Sequence, residues 1–333
     1  MMGKVCLSTF VYGEKYQDYI PFLLFSITKS YPEYYVTLFV YNSLSIRVQK
    51  QIADLSLDDT KIKIIENVFS NGGRMTPQKS QCLRWLLWDD SFYGFDYIYF
   101  VDIDILYFRE PKPIHIQHAI HMEKTGLPYD NMRRLHIRHP FAVSDLMQRL
   151  KYANVKKLLR FFFGEKVEYR ATGLHFIRVK DYYSAFDSSK RQLFTNWVFN
   201  GAWLKEVMYP NDEVLLYKLL EIVGLHPEKL PIQTNSSISL DFDNCEREEF
   251  RPHHGIHLGI FRMSMEQIIG SSANDILSST SYNYYVEQLV NGYLKDKRFQ
   301  SLLNSASSGI KDLYRKLFVY YKIDSSNILF DNE

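Results

Sequence analysis

The chain has 333 residues and a formal net charge of +2, so one large domain or two ordinary ones are expected and there is no electrostatic case for a nucleic-acid partner. Hydrophobic residues make up 46% and aromatics 16%, enough for a large core, which excludes a mainly disordered chain. No apolar run approaches the roughly 20 residues that a membrane helix needs. The opening MMGKVCLSTFV lacks the long apolar segment and cleavage site of a signal peptide. Cys6, Cys82 and Cys245 lie far apart with no CxxC spacing, so reduced thiols are expected. The location that follows is cytoplasmic, or peripheral at the cytoplasmic face of a membrane.

In chain order, 4–11 reads as a first strand, with Val5, Leu7 and Phe10 among its apolar positions. It runs into a turn containing Gly13. A helix is expected over 19–30, with Ile20, Leu23, Leu24 and Ile27 on one face and Pro21 tolerated in the first turn. A second strand over 35–41 follows Pro32. Ser43 or Ser45 then caps a helix to Leu55, and 61–66 is a third strand. This β-α-β-α-β opening implies a parallel, doubly wound beginning. Thr76-Pro77 is a cap followed by proline at the first helical position, opening a helix over 77–89.

That helix leads into FDYIYFVDIDILYFRE at 95–110. Tyr97 to Val101 is an unbroken apolar and aromatic run, as expected of a strand buried on both faces. It ends in Asp102 and Asp104. A charge at the end of such a strand needs a partner, and residues i and i+2 of a strand project to one side. Two carboxylates aimed at one point suit a hard divalent cation, at the strand end where open α/β sheets bind ligands. The alternative is an ordinary pair of loop acids.

Residues 114–170 carry the basic stretch Arg133-Arg134-Leu135-His136-Ile137-Arg138-His139 and an expected helix over 144–163. The arginines either are solvated or meet an anionic acceptor. ATGLHFIRV at 171–179 reads as a strand with Gly173 at its start, and 213–223 as an apolar helix. Beyond Met263 helical periods dominate. The expected division is 1–262 as the main domain and 263–333 as a helical appendage. KDLYRKLFVYYK in that tail suits either an amphipathic helix on a membrane or plain packing.

Several groups could complete a site at Asp102 and Asp104. His253, His254 and His257 fall within five residues, and imidazole beside carboxylates suits Mn²⁺ better than Mg²⁺. His257 is preferred to His254 as the ligand. Asp212 and Glu213 open a helix, where acids favour the dipole, and one of them could instead face a reacting centre. Lys79 and Arg84 are either a solvated helix face or cations near a diphosphate. Tyr12 and Tyr16 could stack on a nucleobase.

Taken together, these blocks resemble GT-A-fold glycosyltransferases, similar to the retaining family 8 and family 6 enzymes. The resemblance rests on YIPFLLFSITKSYP, KSQCLRWLLW running into DYIYFVDIDIL, ATGLHFIRVKDYY, NDEVLLYKLLE and HHGIHLG, and spans about residues 4–260. ATG stands where family 8 has Asn-Ala-Gly, Asp-Glu replaces Asp-Gln, and the Lys-Pro-Trp after the family's histidine is missing.

The resemblance implies an α/β fold with a mixed, mostly parallel sheet flanked by helices and a C-terminal helical extension, and makes 1–262 the catalytic domain, with a nucleotide-binding half of about 1–110 and an acceptor half of about 111–262. It implies sugar transfer from a nucleotide-diphosphate donor, UDP-sugar favoured, to a saccharide or lipid-linked saccharide, retaining favoured over inverting. Thr9, Tyr12 and Tyr16 would lie at the nucleotide, with Lys79 and Arg84 near it. Asp102 would bind ribose or metal, Asp104 the metal (Mn²⁺ or Mg²⁺), and His257 or His254 would be the third ligand. Ala171 and Gly173 would lie along the donor sugar, and Asp212 or Glu213 would approach the anomeric carbon. Two other readings remain: a phosphohydrolase using the Asp102 carboxylate, and an inactive module that binds nucleotide sugar or glycan.

Overall fold

The computed structural model describes residues 3–70, 73–138, 166–205, 207, 211–233 and 254–324. Its centre is a six-stranded sheet of β1 (Val5–Val11), β2 (Tyr35–Val40), β3 (Ile62–Ile65), β4 (Tyr97–Phe100), β6 (Tyr129–Asp130) and β9 (His175–Arg178), in the order β3-β2-β1-β4-β9-β6. Strands β1 to β4 are mutually parallel, and β9 runs antiparallel to both β4 and β6. The fold is thus α/β, with a mixed and mostly parallel sheet flanked by helices.

The unbroken apolar runs of the sequence follow from burial on both faces. Successive side chains point to opposite sides of a strand. In β1, Val5 and Leu7 enter one core while Cys6 enters the other; in β4, Tyr99 takes the first and Ile98 and Phe100 the second. The first core is closed by the helices Ile20–Ser30 and Ile46–Asp54. The second is closed by Pro77–Leu83, Ser188–Asn200 and Asp212–Ile222. Ser45 caps Ile46–Asp54 by accepting from the Val48 amide, and Thr76 caps Pro77–Leu83 by accepting from the Lys79 amide at 3.2 Å. Cys6 and Cys82 are buried free thiols, pushed up by burial, Cys6 to about 12.

Three local differences from the sequence reading bear on the site. The 95–110 segment is two strands: β4 stops at Phe100, the chain turns through Asp102–Asp104, and β5 (Ile105–Tyr107) pairs antiparallel with β11 (Gly255–His257). The helix expected over 77–89 stops at Leu83 and tightens into a 3-10 turn, Arg84–Leu86, where Trp85 Nε1 donates to the carbonyl of Asp212. The strand expected over 171–179 is split. Ala171 ends β8 (Lys166–Ala171), and β9 begins at His175. Between them the Thr172 amide donates to the Met132 carbonyl at 3.0 Å and to Asn131 Oδ1 at 2.8 Å, and the Thr172 hydroxyl donates to the same Oδ1 at 2.6 Å. β8 pairs with β7 (Arg133–Arg138), which in turn pairs with β10 (Ile232–Gln233), making a second, three-stranded sheet. The helix expected over 144–163 lies outside the described residues.

Residues 265–321 are helical, and they share the first core. Tyr293, Phe299, Leu303, Tyr314 and Phe318 pack with Phe22 and Phe25 of Ile20–Ser30. The helix Ser308–Tyr321 buries Leu313, Tyr314, Leu317 and Phe318, so its apolar face meets the protein itself. No helix among the described residues is long and apolar enough to cross a membrane.

Candidate active site

The sheet order reverses between β1 and β4, the switch point where α/β sheets open a ligand crevice beyond their carboxyl ends. Asp102 and Asp104 leave β4 there. Because the chain turns between them, they meet different partners.

Asp102 receives Nη1 of Arg84, whose Nη2 donates to Asp212 Oδ2 at 2.9 Å. The guanidinium lies over the Trp85 ring at 4.1 Å. Burial opposes its charge, but the carboxylates of Asp102 and Asp212 outweigh that and raise its pKa. The 3-10 turn therefore aims one cation at two acids that are 110 residues apart in sequence. Asn211 fixes the second by capping its helix, Oδ1 accepting from the Glu213 amide at 2.7 Å.

Asp104 is nearly buried. The β5–β11 ladder sets His257 opposite Ile105, and the Leu258 amide donates to the carbonyl of Asp104 at 2.8 Å. His257 Nε2 then lies 3.1 Å from Asp104 Oδ1, while Arg262 Nη2 donates to Oδ2 at 2.7 Å. Burial works against the carboxylate, but His257 and Arg262 prevail and lower its pKa; reciprocally, Asp104 raises that of His257 against burial. Arg262 is steadied by the hydroxyls of Tyr16, at 3.2 Å, and Tyr19, at 3.2 to 3.3 Å.

Gly173 stands where the first cluster converges. A Cβ there would lie 3.5 Å from Arg84 Nη2 and from Glu213 Oε1, and 3.8 Å from Asp102 Oδ2. Glu213 is partly buried, with Arg170 Nη1 3.1 Å from Oε2 and Arg134 Nη1 4.0 Å from Oε1. Burial raises its pKa against the pull of the two arginines.

The remaining sequence candidates fall elsewhere. His254 is fully buried, its Nδ1 3.1 Å from Glu110 Oε1, and it contacts His118 and Tyr99. Lys79 Nζ donates to the carbonyls of Phe199 at 2.8 Å and Arg74 at 3.3 Å. Tyr12 packs edge-on to Tyr41 and donates to the carbonyl of Met75. Thr9 is buried within β1, and Ala171 is buried opposite Arg133. His253 lies outside the described residues. The sequence reading missed Arg262, Tyr19 and Arg170; the cue for the first was an arginine three residues after the glycine of HLG.

The donor chemistry around Asp104 fits a divalent cation. It offers one hard oxygen and one imidazole nitrogen, and Mn²⁺ accepts such a pair with phosphate oxygens and waters as further ligands. Gly259 keeps the place open, since a Cβ there would run into Asp104 Oδ2 and come 2.9 Å from His257 Nε2. No three His, Cys, Asp or Glu side chains among the described residues are grouped as a complete ligand set.

No family model matches the chain, and no curated protein matches it. Among solved structures it is similar to the mannosyltransferase Ktr4p from S. cerevisiae in complex with GDP, at 8% identity over 85% of this chain and 84% of that one, TM-score 0.44. It is also similar to core-mannan synthase A from Aspergillus fumigatus in its Mn/GDP form (8% identity, 69% and 72% covered, TM-score 0.38). A third is the galactosyltransferase LgtC in complex with donor and acceptor sugar analogs (16% identity, 65% and 70% covered, TM-score 0.33).

Proposed function

We propose that the protein is a metal-dependent glycosyltransferase that moves a sugar from a nucleotide-diphosphate donor, UDP-sugar favoured, to a saccharide or lipid-linked saccharide in cell-surface glycan assembly, at the cytoplasmic side. The observation that carries this reading is the pair of clusters at the end of β4: Asp104 with His257 and Arg262, and Asp102 with Arg84 and Asp212 around Gly173.

The clusters divide the labour of breaking a glycosyl phosphate bond. A diphosphate leaving group gathers negative charge, and Asp104 and His257 would hold the cation; when bound, that ion supplies charge stabilisation to the leaving oxygens. Arg262, held by Tyr16 and Tyr19, adds a second positive charge at the same end. Arg84, fixed between two carboxylates, can offer hydrogen bonds to the hydroxyls of a sugar lying along Gly173. Asp212 and Glu213 bring negative charge towards the carbon that becomes oxocarbenium-like. Retention is favoured, with these acids stabilising that carbon rather than serving only as the acceptor's base.

The test is a screen of UDP- and GDP-sugars for Mn²⁺-dependent hydrolysis or transfer, repeated with EDTA. Asp104→Asn is expected to lower turnover about a hundredfold or more, the size of a few kcal/mol of lost charge stabilisation, with its melting curve still cooperative. Full turnover in that variant, or turnover indifferent to EDTA, would refute the metal-dependent reading.

A further inference from the structure

Both carboxylates that leave β4 are held by arginines, and the two arginines are held differently. Arg84 lies between Asp102 and Asp212 and is only 11% exposed. Arg262 closes the 3-10 turn Leu258–Arg262 that follows β11, and it is 41% exposed. Its acid is Asp104, with Nη2 2.7 Å from Oδ2. Its other bonds go to neutral hydroxyls: Nη1 donates to Tyr16, and Nε and Nη2 donate to Tyr19. The guanidinium also lies over these two rings, at 4.9 and 5.4 Å, and Tyr16 is itself exposed.

Asp104 Oδ2 is also an atom that a divalent cation would need. A Cβ on Gly259 would press on that oxygen and come 2.9 Å from His257 Nε2, so the glycine leaves room in front of both ligand atoms. An ion held there by a carboxylate oxygen and an imidazole nitrogen meets the guanidinium on the same Oδ2. Two cations so close repel, and a buried carboxylate left with neither is costly. One therefore replaces the other. Arg84 is fixed by two carboxylates; Arg262, with one acid and an open side, is the one that can turn away.

We propose that Arg262 is the counter-ion that Asp104 keeps until a divalent cation replaces it, and that the nucleotide diphosphate draws Arg262 off, so that ion and nucleotide load together. This rests on the metal-dependent reading and adds how that site is regulated. A guanidinium fork matches phosphate as well as carboxylate. The exchange leaves no charge uncompensated: the ion replaces the guanidinium at Asp104, and phosphate replaces Asp104 at the guanidinium. Tyr16 and Tyr19, being neutral, hold Arg262 without competing for its charge.

The experiment is a calorimetric titration of the full chain with Mn²⁺, alone and with saturating UDP or GDP, for wild type and for Arg262→Met. The variant is expected to bind Mn²⁺ alone about tenfold more tightly than wild type, within the range of about 5–150-fold usual for coupled sites. Nucleotide should tighten Mn²⁺ binding in both proteins, because an ion can bridge the diphosphate, but by a factor about tenfold smaller in the variant, where no guanidinium has to be drawn off. Pairing of Mn²⁺ with nucleotide in solution enters both factors alike and drops out of their ratio. A side chain that only supported the fold would weaken Mn²⁺ binding when removed, and one that only added charge at the diphosphate would leave the two factors equal. Should Arg262→Met not fold, Arg262→Gln carries the same comparison. Equal factors, or Mn²⁺ alone bound no more tightly by the variant, overturn this proposal and leave the metal-dependent reading standing. No Mn²⁺ binding by wild type, with or without nucleotide, overturns that reading and this proposal with it.

Discussion

Glu213 is held against its own ionisation. Burial is the largest influence and raises its carboxyl, Arg134 and Arg170 pull it down, and Asp212 adds to the rise. A carboxyl raised in the folded state favours the protonated form. Its contribution to stability is therefore full below the unfolded value of about 4.3 and is lost as pH rises through the folded value. Glu213→Gln removes the titration. The variant is expected to melt above wild type at pH 7, with the gap closing as pH falls towards about 4. Calorimetry across that range checks the sign, and a variant that melts lower at pH 7 than wild type contradicts it. The same change is expected to cut transfer about a hundredfold, the lower range for loss of a positioned acid–base or charge-stabilising group. A site that is stabilised by losing its carboxylate yet slowed by the loss is one where the charge serves the reaction.

At the scale of elements, Arg84 shows how a short turn makes a site. It sits in the 3-10 turn Arg84–Leu86, beside Trp85, and spans Asp102 on the β4 turn and Asp212 at a helix start. Arg84→Met keeps the stem and removes the cation, leaving two partly buried carboxylates uncompensated. Breaking a buried pair from one side costs about 3–5 kcal/mol, and the 29% exposure of Asp102 places this case at the lower end. Chemical denaturation reads the loss, and adding Asp102→Asn to the Arg84→Met variant should return part of it. A single variant as stable as wild type would show that the three groups do not depend on one another.

The elements that sequence revealed were those with local causes. Strands β1, β2 and β4 are buried on both faces and so read as apolar runs, and Thr76-Pro77 and Ser45 are caps with local hydrogen bonds. What stayed hidden depends on distant partners. Thr172, in the link between β8 and β9, is held by Asn131, 41 residues upstream, and Arg262 matters because of Asp104, 158 residues away. The acid pair was legible as chemistry but not as geometry. An i, i+2 rule holds only while the strand continues, and here the chain turns to let β5 join β11. The basic stretch at 133–138 was visible; that Arg134 would stand opposite Arg170, with Glu213 between them, required the register of β7 and β8.

At the scale of the molecule, the helices beyond Met263 share one interior with the helix Ile20–Ser30 and its face of the main sheet. Phe299 is fully buried between Phe22 and Phe25 of the first long helix and Tyr293 and Tyr314 of the C-terminal helices, with ring centres 5.1 to 5.9 Å apart. Lys29 and Asp296 tie the same surfaces at 2.6 Å. The region also reaches the site: the Tyr282 hydroxyl accepts from the His257 amide at 3.4 Å, and Tyr285 donates to Glu110, which engages His254. Removing a large aromatic from a packed core costs about 3–5 kcal/mol. Phe299→Ala is therefore expected to lower the melting temperature of the whole chain in one transition, with nucleotide binding lost in that same transition. A separate appendage would behave otherwise. Calorimetry would show two transitions, the substitution would move only one, and nucleotide binding would survive melting of the tail. A chain truncated before Met263 should then also bind nucleotide, whereas a shared core leaves the apolar face of Ile20–Ser30 bare and the truncated chain without a cooperative melt.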